Sequence, residues 1–155
     1  MEVENKRIKG ARVTVYNNIK FRSSFECSCY KRLEQSGLEF YHEPERVELW
    51  KGLKLQNISV YAPNKVRNRP GVYERDLSSQ TNALRNLTYT PDFLVVKDKY
   101  RIYFDAKGKE NDTYPIKKKM FLKHLDERND GLMYIFMEPH SIRQMLQAID
   151  IINSL

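Results

Sequence analysis

A mixed α/β fold, a central mixed sheet flanked by helices, is what this 155-residue sequence predicts. Three observations lead there. Apolar stripes at helical spacing occur over 24–36, from about residue 112 to 128, and after Ser141. Short runs of β-branched, aromatic and aliphatic residues lie between them. The elements then run helix, strand, loop, strand, strand, helix, strand, helix. The length suits about one domain with a real core, so residues 1–155 are read as a single domain in which 50–88 is a basic insertion or bridge.

Taken in order, residues 11–19 predict a short strand. Residues 24–36 predict a helix with Phe25, Cys29 and Leu33 on one stripe and Gly37 as its stop. The chain is extended over 40–49, interrupted at Pro44, and irregular and polar over 50–88, where Asn68-Arg69-Pro70-Gly71 signals a turn. The apolar run 93–96, the polar turn Lys97-Asp98-Lys99 and the alternating run 100–104 predict a hairpin. Tyr100, Ile102 and Phe104 share one of its faces; Arg101, Tyr103, Asp105 and Lys107 share the other, and Gly108 ends the strand. Asp112 or Thr113 caps a helix to about Arg128, with Pro115 in its first turn. Ile116, Met120 and His124 lie on one face of that helix, with Phe121 and Leu125 alongside. Residues 132–137 predict a buried strand. Ser141-Ile142-Arg143-Gln144 is a capping box opening a helix that turns Ile142, Met145, Leu146, Ile149 and Ile152 inward.

The net charge of +7 is unevenly spread. Residues 1–22 carry six Lys/Arg against two acids and 51–90 carry seven against two, whereas 23–50 carry three against six. Basic segments around an acidic element suit a polyanionic partner. Charge excess alone also fits a ribosomal protein. No apolar run approaches membrane-spanning length, and the charged N-terminus lacks the hydrophobic segment of a signal peptide. Cys27 and Cys29 point to different sides of a helix, and His42, His124 and His140 are scattered, so neither a disulfide nor structural zinc is expected. The expectation is a reduced, cytoplasmic protein without membrane contact.

Chemistry concentrates in two strings: Pro91-Asp92-Phe93 and, beyond the hairpin, Asp105-Ala106-Lys107. Two carboxylates and an ammonium at this spacing can surround a divalent metal. Oxygen ligands suit Mg²⁺ (or Mn²⁺), which takes one or two carboxylates beside phosphate and water. Lys107, two residues after Asp105 on a strand, shares its face and can orient a water or neutralise charge on a phosphorane. Glu26 has two readings. Ser23-Ser24-Phe25-Glu26 fits a capping box, and the same position lets the carboxylate join the metal ligands.

The strings Phe21-Arg22-Ser23-Ser24-Phe25-Glu26, Leu33-Glu34-Gln35-Ser36-Gly37-Leu38-Glu39-Phe40, Tyr89-Thr90-Pro91-Asp92-Phe93 and Asp105-Ala106-Lys107-Gly108 occur in the order seen in the phage endonuclease I family. The chain resembles these Holliday-junction resolvases of the PD-(D/E)xK superfamily over about 21–49 and 89–137. The resemblance implies a restriction-endonuclease-like core and metal-dependent cleavage of branched DNA, in a host-cell cytoplasm if phage-encoded. It implies Glu26, Asp92 and Asp105 as metal ligands and Lys107 as the catalytic lysine. Asp105 stands where that family commonly has glutamate. A domain-swapped homodimer is implied as well, with Glu26 acting in trans.

Residues 50–88 depart from the family's short bridge. They form either a DNA-binding arm, through Lys65, Arg67, Arg69, Arg75 and Arg85, or an idle polar loop, and a long linker also relieves the strain that favours swapping. Arg22, Lys109, Lys117 and Lys118 are further DNA-contact candidates. For the Lys117-Lys118-Lys119 run the alternative is a solvated helix face. Trp50 and Tyr61 either stack on an unpaired base or pack under the insertion. The expected function is therefore a structure-selective DNA endonuclease. Two alternatives stay open: another PD-(D/E)xK enzyme of nicking, mismatch or transposition type, and a non-catalytic DNA-binding module on the same fold.

Overall fold

Local sequence already dictates where the first elements turn. In the computed structural model, which describes residues 12–63, 73–75, 84–108 and 111–155, β1 (Thr14–Tyr16) and β2 (Ile19–Phe21) form an antiparallel hairpin. Asn17 and Asn18 join them with φ of 49° and 62°. Asparagine tolerates this left-handed region, and two such residues in succession match the twist of a hairpin. The single strand expected over 11–19 is thus the first arm of a hairpin.

Helix α1 (Ser24–Ser36) begins where Ser23 Oγ accepts the Glu26 N–H and stops at Gly37, whose φ of 72° lets its N–H reach back to Glu34 O. β3 (Glu39–His42) and β4 (Val47–Trp50) are the extended stretch divided at Pro44. β8 (Phe93–Lys97) and β9 (Tyr100–Phe104) form the expected hairpin, tightened to a two-residue turn with Asp98 at φ 48°. Helix α2 (Tyr114–Asp126) leads from β9 to β10 (Met133–Met137), which pairs parallel to β9 as a crossover connection allows. Helix α3 (Ile142–Asn153) closes the chain, capped by Ser141 Oγ on the Gln144 N–H.

The chain divides into two compact units, 1–47 with 89–155, and 48–88. The first holds a four-stranded mixed sheet in the order β10-β9-β8-β3. On one face Phe93, Val95, Ile102 and Phe104 pack with Cys29 and Leu33 of α1 and Met145, Ile149 and Ile152 of α3. On the other, Phe121 of α2 meets Tyr103 and Phe136 at ring distances of 5.3 and 6.0 Å. Burial pushes the Cys29 thiol up to about 12, so it stays a neutral core group.

Two helix faces differ from expectation. Tyr114, Phe121 and Leu125 are the buried positions of α2, and Ile116 is 61% exposed: the aromatic partners on the sheet draw the helix round. In α3 Leu146 is 44% exposed, and Ala148 is buried where the helix approaches α1. β10 is half-buried rather than buried, being the outer strand of its sheet.

The second unit is more regular than its composition indicates. β5 (Tyr61–Pro63) pairs antiparallel with β6 (Tyr73–Arg75), and β4 pairs with β7 (Leu87–Tyr89). Gly52 passes so close to Leu84 that an added Cβ would sit 1.8 Å from its carbonyl oxygen, and the Leu84 N–H bonds Leu53 O at 2.6 Å. Trp50 and Tyr61 are 41% and 53% exposed. The turn 68–71, with Lys65, Arg67 and Arg69, lies outside the described residues.

Candidate active site

Sheet register assembles the site. His42, Phe93, Phe104 and Met137 lie side by side across the four strands. The next residue outward on each strand is acidic: Glu43, Asp92, Asp105 and Glu138. Main-chain bonds carry the ladder into this row, Glu43 N–H to Asp92 O at 2.8 Å, Asp92 N–H to Phe104 O at 2.9 Å and Asp105 N–H to Met137 O at 3.1 Å. The Lys107 N–H reaches Pro139 O at 3.1 Å, so Lys107 is held beside the β10 end although regular strand stops at Phe104.

Each carboxylate is fixed. Asp92 Oδ2 accepts the Ala106 N–H at 2.8 Å, and its Oδ1 faces Arg22 Nη2 at 3.2 Å. Asp105 Oδ1 pairs with Lys107 Nζ at 2.6 Å, and its Oδ2 accepts the Tyr89 hydroxyl. Glu26, one turn into α1, accepts the Arg22 N–H at 3.0 Å and faces His42 Nε2 at 2.9 Å. Of the capping box only the Ser23 half forms; the Glu26 carboxylate takes the Arg22 N–H and not that of the N-cap Ser23. The carboxylate thus reaches back past the cap to the residue whose guanidinium touches Asp92.

Asp92, Asp105 and Glu26 are 5%, 1% and 3% exposed, a surplus of buried negative charge against one ammonium and one guanidinium. Burial, then repulsion from Asp105 and Glu26, pushes the Asp92 carboxyl well above the usual carboxylate range, with Lys107 working against the shift. Burial tends to lower Arg22, but the surrounding Asp92, Glu26 and Glu43 carboxylates win and hold it firmly charged. Buried carboxylates are the kind of donor a hard cation takes, but Asp92 and Asp105 do not share with Glu26 a group of ligand atoms within 4.8 Å of one another.

Four supporting residues carry no role in the sequence reading. Tyr89 is driven upward by burial and the Asp105 charge, and so remains a proton donor to that carboxylate. The Tyr114 ring lies 4.4 Å from Lys107 Nζ, and its hydroxyl donates to Glu138. Burial favours the protonated form of Glu138, yet hydrogen bonds from Tyr114, Lys118 and His140 hold its carboxyl below the usual value. His42, counted among scattered histidines, lies against Glu26, and Glu26, His42 and Glu43 place ligand atoms within 4.8 Å of one another, a group able to hold a metal ion. Tyr89 was within reach of sequence, in the string before Asp92; the others depend on register.

Of the expected nucleic-acid contacts, Arg22 stands in the site with a 63% exposed side chain. Lys118 is tied to Glu138 at 2.9 Å, Lys117 is half-buried on α2, and Lys109 lies outside the described residues. Among the described residues no helix is long and apolar enough to cross a membrane. The chain matches DUF1064, a family described as protein of unknown function, over residues 6–136, and belongs to it. No significant match is found among curated proteins or among solved structures.

Proposed function

We propose that this DUF1064 chain is a metal-dependent DNA endonuclease of the PD-(D/E)xK type, with a restriction-endonuclease-like core, that hydrolyses phosphodiesters in branched DNA. One observation carries the reading: three buried carboxylates from three separate stretches of sequence, Glu26, Asp92 and Asp105, lie around Arg22 and a half-buried Lys107, Arg22 linking Glu26 to Asp92 and Lys107 pairing with Asp105. A fold needs no such concentration of buried carboxylates for stability, since burying charge is costly unless it is matched.

Asp92, Asp105 and Glu26 would hold Mg²⁺ or Mn²⁺. Bound there, such an ion supplies Lewis-acid polarisation of the phosphoryl group and makes a water more acidic. The chain's own groups do the rest. Lys107, held between Asp105 and the Tyr114 ring, presents an ammonium to the charge that develops on the phosphorane or to the attacking water. Arg22, exposed beside Asp92, offers a guanidinium fork to a substrate phosphate. Tyr89 keeps Asp105 from rotating.

The branched substrate follows from the resemblance of the Phe21–Glu26 and Tyr89–Phe93 strings to junction resolvases, together with the +7 charge, which favours a polyanion read by shape. Resolving a junction takes two cuts, so we propose that two copies act together. The test is cleavage of a labelled four-way junction against a matched linear duplex, with Mg²⁺ or EDTA, for the natural chain and Asp92→Asn. Metal-dependent cutting of the junction alone, lost in the variant, is expected. Equal cutting of both substrates would discard the resolvase and keep the nuclease. Tight binding without cutting would leave a DNA-binding module.

A further inference from the structure

The β1–β2 hairpin has one face packed and one face bare. Tyr16 and Phe21 turn onto α1, their rings 6.2 and 5.1 Å from that of Tyr30, and the Tyr16 hydroxyl donates to Glu34. Strand alternation then turns Val15 and Lys20 outward, and the pairing register sets these two opposite each other. Val13 and Val15 are 55% and 66% exposed, so the bare face is apolar along β1 and cationic along β2. No carboxylate among the described residues pairs with Lys20. Residues 12–22 contain Arg12, Lys20 and Arg22 and no acid. Arg22 follows Lys20 by two residues, about 6–7 Å along an extended chain. Its guanidinium reaches Asp92 at 3.2 Å, so the bare face leads directly to the mouth of the site.

We propose that the outward face of the β1–β2 ribbon, formed by Val13, Val15 and Lys20, docks in a groove of the duplex arm whose phosphate Arg22 receives. Charge and place together fix the occupant. A ribbon with three cations and no acid suits a polyanion. A second copy of the chain fits the face poorly, since each copy carries a net charge of +7 and would bring Lys20 with it. A major groove about 12 Å wide admits a two-stranded β-ribbon. There Lys20 takes a phosphate, and the valines lie against sugars and thymine methyl groups. DNA that places a phosphate at Arg22 also has to pass over the adjoining strand. The inference rests on the endonuclease reading for DNA as the partner, and it deepens that reading by naming a surface that holds an arm without any metal.

The experiment measures binding of a labelled linear duplex and a labelled four-way junction by fluorescence anisotropy, in EDTA and over a series of salt concentrations. The natural chain, Lys20→Gln, Val15→Glu and Lys123→Gln are compared, each with circular dichroism to verify folding. Lys20→Gln should weaken both complexes several-fold and lower the salt slope by about one. Val15→Glu should weaken them by about tenfold or more, because it sets a carboxylate against phosphate. Lys123→Gln removes an exposed cation of α2 that pairs with Glu127, and should bind as the natural chain does. Lys20→Gln decides the matter if Val15→Glu misfolds. Natural affinity and salt slope in the folded ribbon variants, equal losses in all three variants, or no binding by the natural chain would overturn the proposal. So would a sedimentation change in Val15→Glu with DNA affinity intact, since the face would then join two copies. Cleavage separates the two ideas. Ribbon-dependent binding without cutting in Mg²⁺ would leave the ribbon and remove the nuclease, whereas cutting with unaltered binding in the ribbon variants would do the reverse.

Discussion

Replacing Asp92 by asparagine keeps the side chain's shape and its acceptor for the Ala106 N–H, but removes one of three buried charges. In the metal-free protein that charge is unwelcome, since burial and then Asp105 and Glu26 raise the Asp92 carboxyl well above its ordinary value. The sign follows from proton linkage. A group whose folded pKa is raised contributes stability fully present below the unfolded pKa, about 3.9 for aspartate, and lost as pH rises through the folded pKa. Within that window one extra proton is bound in the native state, and stability falls by about 1.4 kcal/mol per pH unit. For a chain of this length that slope is about 3–5 °C of Tm per pH unit.

The assay is thermal unfolding in EDTA from pH 4 to 8, for the natural chain and Asp92→Asn. Glu138, whose carboxyl is lowered, contributes the opposite slope, because its stabilisation is lost as pH falls. It is present in both proteins and cancels in the difference. The natural chain should therefore lose Tm relative to the variant as pH rises through the Asp92 window. At neutral pH, Mg²⁺ at a hundred times its dissociation constant contributes about 2.7 kcal/mol, or about 5–10 °C, to the natural chain and little to the variant. Parallel Tm curves for the two proteins, or equal Mg²⁺ shifts, would refute the account of Asp92 as a repelled carboxylate relieved by a cation.

Lys107→Ala should lower junction cleavage by about 10²–10³-fold while leaving junction affinity intact, because one group facing the developing charge is removed; unchanged cleavage would end its assigned role. Glu26 accepts the N–H of Arg22, whose guanidinium pairs with Asp92 of the same chain, so a mixture of Glu26→Ala and Asp92→Ala proteins should stay inactive, and regained cutting would mean that α1 is exchanged between copies. Tyr89→Phe leaves Asp105 Oδ2 without its buried donor and should cost about 1–3 kcal/mol of stability, read from the urea midpoint. In α3, Met145→Ala should cost about 2–5 kcal/mol, whereas Leu146→Lys, at a 44% exposed position, should stay within about 0.5 kcal/mol; equal losses would contradict the observed helix face.

How much of this was legible follows from the range of each interaction. Helix α1 is written locally: Ser23 and Gly37 act on neighbours within a turn, and its boundaries agree with the sequence reading. The β8–β9 hairpin is nearly as local, since two apolar runs around a polar turn fix their own register, and that register alone sets Asp92 beside Asp105. Helix faces were harder. Ile116 belongs to an apolar stripe by spacing, but aromatic residues from β9 and β10 choose Tyr114, Phe121 and Leu125 instead. The hairpin at Asn17-Asn18 replaces the single strand expected there, and its signal is local: two residues suited to positive φ between short apolar runs.

The acidic row across the sheet end is different in kind. Glu43, Asp92, Asp105 and Glu138 are far apart in sequence, and nothing near Glu43 or Glu138 announces chemistry. Their alignment exists only because β3 pairs antiparallel with β8 and β10 pairs parallel with β9 in one register. A shift of one residue in either pairing would turn the apolar set of that strand away from the core. Burial of Phe93 and Phe104 at 0% exposure therefore specifies the register, and the register delivers the carboxylates. The site and the core are thus one constraint: the packing that makes the sheet stable also concentrates the negative charge that Lys107, Arg22 and a divalent cation are suited to offset.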